Sequence, residues 1–278
     1  MWDFSGVEAF GRQLRRDLGY RTPPLRAWCR FGPLGWLRSV VFHARLLAVF
    51  AGARKMIRRG AFGLTAYRDR SWRIRRAAEQ AGGQVEVSGL EHVAGVEGPV
   101  VFVGNHMSSL ETVLLPSILI PFKDVAFVIK DNLLHYPVFG PIMRAVKNIP
   151  VGRLNPRDDL KNVLVRGEEF LRSGVSVVIF PQATRSAVFD VANFNTLGVK
   201  LAGRAGVPVV PLAMRTDFMG NGRVFKDFGL VDPSKPIRFA FGPPFRVVGN
   251  GREAHETVVK FVTEHLEEWG VEIKKDET

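Results

Sequence analysis

From residue 84 onward, apolar runs of strand length alternate with segments that have a helical hydrophobic period. Runs rich in valine, isoleucine and phenylalanine predict β-strands at residues 85–87, 100–103, 125–129, 149–151, 175–180, 207–213 and 237–241. Apolar residues three and four positions apart predict helices at residues 109–120, 156–173, 196–205 and 253–269. This alternation predicts an α/β fold with a mixed, largely parallel sheet flanked by helices. The second helix also has boundary signals, with Asn155 as N-cap and Gly174 beyond its end.

Positive charge is concentrated at the N-terminus. Residues 1–80 contain 17 of the 39 lysines and arginines but 5 of the 27 acidic residues, which accounts for the whole net charge of +12. Within residues 31–59, Arg38, Arg45 and Arg59 are separated by 7 and 14 positions, so in a helix they share one side, opposite a broad apolar side. We expect an amphipathic helix in a membrane interface, with an ordinary surface helix packed on the protein as the alternative. Charges interrupt every apolar run before it reaches spanning length, so we expect monotopic attachment.

These observations divide the chain into a basic, amphipathic helical membrane-associating region, residues 1–83, and an α/β domain, residues 84–278. A basic arm attracts either nucleic acid or an anionic membrane. No nucleic-acid-binding motif accompanies the arginines, so we expect the lipids of an anionic leaflet as partner and no nucleic acid. The single cysteine, Cys29, cannot form an internal disulfide, which indicates a reducing compartment and the cytoplasmic face of the membrane.

His106 follows the apolar run at residues 100–103, where ligands of open α/β sheets gather. Glu111, five residues later, is suited to accept the imidazole N–H, which would leave the other ring nitrogen free to take a proton. The alternative is structural, because Ser108 and Glu111 have the spacing of a helix capping box. We find no G-x-S-x-G nucleophile elbow, no P-loop and no zinc-ligand spacing, so we expect no metal and no bound cofactor.

Four stretches in order resemble the motifs of the glycerolipid acyltransferases, specifically the 1-acylglycerol-3-phosphate acyltransferase family. They span roughly residues 84–245 and are N-H-x4-E at 105–111, the region 130–153, F-P-Q-A-T-R-S at 180–186 and V-P-V-V-P-L at 207–212. The resemblance implies an enzyme that transfers a fatty acyl group from a thioester, either acyl-CoA or acyl carrier protein, to the hydroxyl of a lysophospholipid. It implies that His106 is the general base and that Glu111 fixes its tautomer.

The resemblance also implies which residues bind the acceptor. Arg153 and Arg185 would hold its phosphate, since a guanidinium matches two phosphate oxygens. Thr184 would add a hydroxyl donor, Lys130 a further cation and Gln182 an amide. Taken alone, Arg153 at a strand end and Lys130 are equally well explained as solvated surface charges.

Three positions depart from the family pattern. Glu111 stands where aspartate is usual, Gln182 where glutamate is usual and Ala183 where glycine is usual. Gln182 keeps hydrogen bonding but removes a negative charge beside Arg185. The most direct expectation is the formation of phosphatidic acid from 1-acylglycerol-3-phosphate. The alternatives are another lysolipid, such as a lyso-aminolipid, or a lipid-binding protein with weak catalysis.

Overall fold

The computed structural model describes residues 2–24, 35–152, 155–182, 184–222 and 229–274. Its strands are β1 (Tyr20–Arg21), β2 (Val85–Ser88), β3 (Val101–Gly104), β4 (Val125–Lys130), β5 (Asn148–Val151), β6 (Ser176–Ile179), β7 (Phe189–Asp190), β8 (Val209–Arg215), β9 (Ile237–Phe241) and β10 (Ile273–Lys274). Its helices are α1 (Ser5–Asp17), α2 (Gly35–Arg58), α3 (Leu64–Gln80), α4 (Leu90–Ala94), α5 (Leu110–Leu119), α6 (Gly140–Ala145), α7 (Pro156–Arg172), α8 (Leu197–Ala205) and α9 (Arg252–Glu268), with a 3₁₀ turn at Asp131–Leu134.

Eight strands form one sheet in the order β1-β2-β9-β8-β3-β6-β4-β5. The pairs β1–β2 and β8–β9 are antiparallel, and the other neighbours are parallel. Strands β7 and β10 make a separate parallel pair that ties the C-terminal segment to the chain after residue 186. The predicted fold class, a mixed and largely parallel sheet flanked by helices, is therefore confirmed.

The central strand β3 is buried on both sides of the sheet, because helices cover both faces. Phe102 packs in a core with α1, α2, α3, α5 and α6. Its neighbours Val101 and Val103 pack in a second core with α7, α8 and α9. Successive side chains of a strand point to opposite faces, so a continuous apolar run supplies both cores.

The predicted elements appear close to their expected positions. All seven predicted strands and all four predicted helices are present, with ends shifted by a few residues. Asn155 caps α7 by accepting a hydrogen bond from the Arg157 N–H at 3.1 Å, and Gly174 adopts a φ of +83° beyond the helix end. The sequence did not predict β1, β7 and β10, because two residues are too short a run to show a period of two.

The N-terminal helices share their core with the rest of the chain. Phe10 of α1, Phe42 of α2 and Ile74 of α3 lie in one buried cluster with Phe102 and Leu114. Strand β1 extends the main sheet by pairing with β2. Residues 1–83 therefore include structural parts of the fold, and the division at residue 83 stays a prediction about which segment contacts a membrane.

Helix α2 has apolar side chains on two sides. Its inner side, with Phe42, Leu46 and Phe50, is buried, whereas Trp36, Val40 and Leu47 are among the most exposed large apolar residues. Residues 31–34 of the predicted helix lie outside the described residues. Of the predicted apolar side, Phe50 therefore packs on the protein, whereas Val40 and Leu47 face outward. No helix in the described part of the chain has the length and apolar composition to cross a membrane.

Candidate active site

The candidate site lies where the parallel strands end. His106 follows β3, Lys130 ends β4, Gln182 follows β6 and Thr216 follows β8. Parallel strands of one sheet present their carboxyl ends at one edge, and ligands of open α/β sheets bind there. Residues far apart in the sequence thus meet in one place.

His106 and Glu111 form a hydrogen-bonded pair. His106 Nδ1 lies 2.8 Å from Glu111 Oε1, and the imidazole stacks on the Phe180 ring with centroids 4.7 Å apart. A carboxylate can only accept, so Nδ1 carries a proton, and in the neutral imidazole the lone pair is then on Nε2. Nε2 has no hydrogen-bond partner among the described residues, and His106 lines the adjacent cavity. The geometry suits a general base.

The Glu111 carboxylate is fully buried and is held by several donors. Oε1 accepts from the Met107 N–H at 2.7 Å, Oε2 accepts from the Ser108 hydroxyl at 3.1 Å, and the Thr216 hydroxyl also donates to Oε2. Burial alone raises the pKa of Glu111, but the hydrogen bonds from His106 and Thr216 and the nearby imidazole bring it below its ordinary value. The carboxylate is therefore ionised at neutral pH.

The two explanations offered for Glu111 describe the same carboxylate. It contacts His106, and it also accepts from the Ser108 N–H at 3.0 Å just before α5, which is half of a capping box. The other half is altered, because the Ser108 hydroxyl accepts from the Leu110 N–H at 3.1 Å. The extra methylene of glutamate relative to aspartate still allows contact with His106.

Gln182 and Ser186, from the segment after β6, both form hydrogen bonds with the backbone of His106. The His106 N–H donates to Gln182 Oε1 at 2.6 Å, and the His106 carbonyl accepts from the Ser186 N–H at 3.0 Å. Gln182 is 5% exposed, so its oxygen supports the histidine loop from inside the protein. A contact between Gln182 and substrate stays a prediction.

The backbone N–H groups around His106 are already used. The His106 N–H bonds Gln182, and the N–H groups of Met107 and Ser108 bond Glu111. An oxyanion formed beside His106 would therefore need donors other than these three N–H groups.

A cavity of about 1190 Å³ adjoins His106. Most of its wall is apolar, and α2, α3, α5, α6 and β4 contribute side chains to it, such as Phe50, Leu110 and Phe139. Six Asp, Glu, Lys and Arg side chains lie in its described wall. One is the carboxylate of Asp159, and the other five are cationic: Arg70, Lys130, Lys147, Arg185 and Lys200. The wall combines space for a long apolar chain with an attraction for anions.

Several predicted substrate-binding residues line this cavity. Lys130, Thr184 and Arg185 all contribute to its wall, with Thr184 exposed and Arg185 half-buried. Arg153 and Ala183 lie outside the described residues. Gln182 lines the cavity as well, so the structure brings four of the five predicted substrate-binding residues to the same cavity as His106, and their roles stay predictions.

The sequence missed Thr216, Ser108 as a ligand of Glu111, and Lys200. Thr216 is fully buried and follows β8, so its place at a strand end was visible, whereas its partner 105 residues away was not. Lys200 lies on α8, whose predicted period gave no sign of a cavity.

The sequence of this chain is similar to those of known acyltransferases. Residues 84–215 match the sequence model of the Acyltransferase family. The 1-acyl-sn-glycerol-3-phosphate acyltransferase of Pseudomonas aeruginosa is 33% identical over 174 residues, which cover 63% of this chain and 64% of that protein. The chloroplastic LPAT1 of Arabidopsis thaliana, with the same enzyme name, is 32% identical over 141 residues, which cover 51% of this chain and 37% of that protein. The alignments thus span less than two thirds of these relatives.

A solved structure has the same fold. The crystal structure of the 1-acyl-sn-glycerophosphate (LPA) acyltransferase PlsC from Thermotoga maritima superposes with a TM-score of 0.61 at 20% identity, and covers 84% of this chain and 97% of that one. At this identity the likeness shows a common α/β fold, and in this chain the His106–Glu111 pair lies at the strand ends of that fold. The chain is therefore similar in sequence to the acyltransferases over residues 84–215, slightly less than half of its length.

Proposed function

We propose that this chain is a membrane-associated acyltransferase that moves a fatty acyl group from a thioester to the hydroxyl of 1-acylglycerol-3-phosphate and so makes phosphatidic acid. The observation that carries the proposal is the His106–Glu111 pair at a cavity whose wall is largely apolar and includes five cationic side chains. The relatives that bear this enzyme name support the same reaction.

The reaction needs one base and no covalent enzyme intermediate. His106 Nε2 takes the proton of the acceptor hydroxyl as its oxygen attacks the thioester carbonyl. Collapse of the tetrahedral adduct breaks the C–S bond, and the imidazolium returns the proton to the leaving thiolate. Glu111 stabilises the transient imidazolium by its charge, at 2.8 Å from Nδ1.

The cavity divides the substrates by polarity. The acyl chain would occupy the apolar part between α2, α3, α5 and α6, away from water. The acceptor phosphate would lie near Arg185, Thr184 and Lys130 at the strand ends, with Arg153 as a further ligand. Neither acyl-CoA nor acyl carrier protein is favoured by these residues, and the thioester is a co-substrate.

Arg185→Ala is expected to raise the KM for 1-acylglycerol-3-phosphate by at least about tenfold, because a charge-assisted hydrogen bond to phosphate contributes about 1.5–3 kcal/mol. The KM for the acyl thioester should change little. Arg185→Lys should restore part of the loss, since a point charge does not reproduce the guanidinium fork. Steady-state kinetics with each substrate varied in turn provide the measurement.

Arg172→Ala is the matched control, because Arg172 is exposed on α7 and pairs with Glu168 away from the cavity. Its KM values should equal those of the wild type. A normal acceptor KM in Arg185→Ala would place the phosphate site elsewhere.

Attachment to the membrane would use the outer side of α2. Trp36, Val40 and Leu47 are 61%, 52% and 45% exposed, and exposed cations follow them at Arg54, Lys55, Arg58 and Arg59. Apolar residues beside cations are typical of interfacial helices. This side would bind an anionic leaflet at the cytoplasmic face, where thioesters are available.

Replacing Trp36, Val40 and Leu47 together with serine is expected to reduce the affinity for anionic vesicles by at least about a hundredfold. Full burial of each such side chain contributes about 1.5–3 kcal/mol. Vesicle sedimentation measures the bound fraction, and point changes are preferable to deletion because the inner side of α2 is part of the core.

Val165→Ser, on α7 at the opposite face of the sheet, is the control and should bind vesicles normally. Unchanged vesicle binding by the triple variant would refute attachment through α2.

A panel of acceptors tests the substrate. Gln182 stands where the family pattern usually has a glutamate, so a negative charge is missing beside Arg185. A different lysolipid acceptor is therefore the second candidate. The wild-type protein should acylate 1-acylglycerol-3-phosphate faster than a lyso-aminolipid or an uncharged lysolipid, with either thioester donor. A faster rate with a lyso-aminolipid would establish the second candidate.

A further inference from the structure

Two polar side chains in the wall of the cavity have no part in the acyl-transfer chemistry. Tyr67 and Arg70, three residues apart on α3, share one side of that helix and line the cavity together with Phe50, Ala53 and Phe62. A guanidinium and a phenol are unexpected in the wall of a space that holds a hydrocarbon chain, because polar groups lose stability there unless they are hydrogen-bonded.

Neither polar group is fully satisfied by the protein. Arg70 is 12% exposed in its side chain and pairs through Nη2 with Asp69 at 2.6 Å, but Asp69 is shared with Arg73. Arg70 Nε is buried and has no hydrogen-bond partner among the described residues. The Tyr67 hydroxyl likewise has no hydrogen-bond partner in the described part of the chain. Burial raises the pKa of Tyr67, so the phenol stays protonated and can donate.

The fold makes room for this arrangement. Gly52 of α2 lies against the guanidinium, and a Cβ at that position would stand 2.7 Å from Arg70 Nη1. The neighbouring Ser71 is satisfied, since its hydroxyl donates to the Leu114 carbonyl at 3.0 Å and accepts from the Ser117 N–H at 2.8 Å. Tyr67 and Arg70 are thus the groups on this side of α3 that a ligand would meet.

The contacts between helices place this pair away from His106. Ser71 contacts residues 114 and 117 of α5, about 6–10 Å along that helix from its start beside the His106 loop. Arg68 and Pro121 both lie within 4 Å of the Cβ position of Gly11, so α3 and α5 run in opposite directions. Tyr67, one turn before Ser71, lies farther still from His106.

We propose that Tyr67 and Arg70 form a subsite for an oxygen atom carried on the acyl chain, a hydroxyl or keto group at some distance from the thioester. This inference rests on the proposed acyl transfer and specifies its donor. A hydroxyl on the chain accepts from the phenol and the guanidinium, whereas a plain methylene leaves the phenol without a partner and the guanidinium with Asp69 alone. A site with unpaired polar groups discriminates against the ligand that lacks the matching group.

The test is a competition between plain and hydroxylated acyl thioesters of one chain length, with the hydroxyl moved along the chain. Mass spectrometry of the product gives the ratio of the two kcat/KM values. The wild type should favour one hydroxyl position by about tenfold or more. Tyr67→Phe, which keeps the ring beside Phe62, and Arg70→Met should each reduce that preference by about tenfold.

Tyr136→Phe removes the other phenol of the described cavity wall and should keep the wild-type ratio. Equal use of plain and hydroxylated chains by the wild type, or an unchanged ratio in Tyr67→Phe, would overturn the subsite. If no acyl transfer occurs, the proposed function fails separately. The subsite is then tested by the binding of non-transferable alkyl-CoA thioethers, plain or hydroxylated. Tighter binding of the hydroxylated chain by the wild type than by Tyr67→Phe would support the subsite, and equal binding would overturn it.

Discussion

His106→Ala is expected to lower kcat for acyl transfer by about 10²–10⁴-fold, because that is the usual contribution of a positioned general base. His106 Nδ1 is bonded to Glu111, and alanine leaves no group that can take the acceptor proton at this position. The KM values should change much less than kcat, since the proton moves only in the transition state. Steady-state kinetics with purified protein provide the measurement.

His92→Ala is the matched control, because His92 lies on α4 outside the cavity wall. It should keep wild-type kinetics, and circular dichroism should show that both variants remain folded. More than about a tenth of wild-type kcat in a folded His106→Ala variant would remove His106 from the mechanism.

Glu111→Gln is expected to lower kcat by at least about a hundredfold. The amide oxygen can still accept from the imidazole Nδ1–H of His106 and from the backbone N–H groups of Met107 and Ser108, so the loop after β3 should keep its conformation. The negative charge that stabilises the imidazolium is lost, and a neutral amide in the corresponding place of a serine-protease triad costs about 10⁴-fold. Glu111→Asp keeps the charge at a greater distance and should retain part of the activity.

The two substitutions separate the explanations of Glu111. A capping box accepts glutamine as well as glutamate, so a purely structural role predicts nearly normal kcat for Glu111→Gln. Equal, near-normal turnover in both variants would therefore leave Glu111 as a helix cap. Thermal unfolding of the same proteins shows whether the cap itself has been weakened.

The central strands could be predicted because each is an apolar run that is almost entirely buried on both faces of the sheet. Residues 100–103 and 207–213 are two such runs, and they became the neighbouring strands β3 and β8. Helix α2 shows where pattern reasoning fails. Its pattern predicts a single apolar side, but Phe50 packs inward whereas Val40 faces outward, because periodicity does not distinguish a core contact from an exposed patch.

The candidate site was predictable where its residues are close in sequence or follow a strand. His106 and Glu111 are five residues apart, and Gln182 follows β6. The hydrogen bond from Thr216 to Glu111 depends on the pairing of β3 with β8, which the sequence does not specify. The use of Gln182 Oε1 to hold the His106 N–H likewise depends on the β3–β6 pair.

The most direct test follows an isotopically labelled acyl group from its thioester to 1-acylglycerol-3-phosphate in vesicles that contain the purified protein. The account predicts labelled phosphatidic acid and one released thiol for each acyl group transferred, with both signals lost in His106→Ala. Lipid binding without labelled phosphatidic acid, from either acyl-CoA or acyl carrier protein, would contradict it.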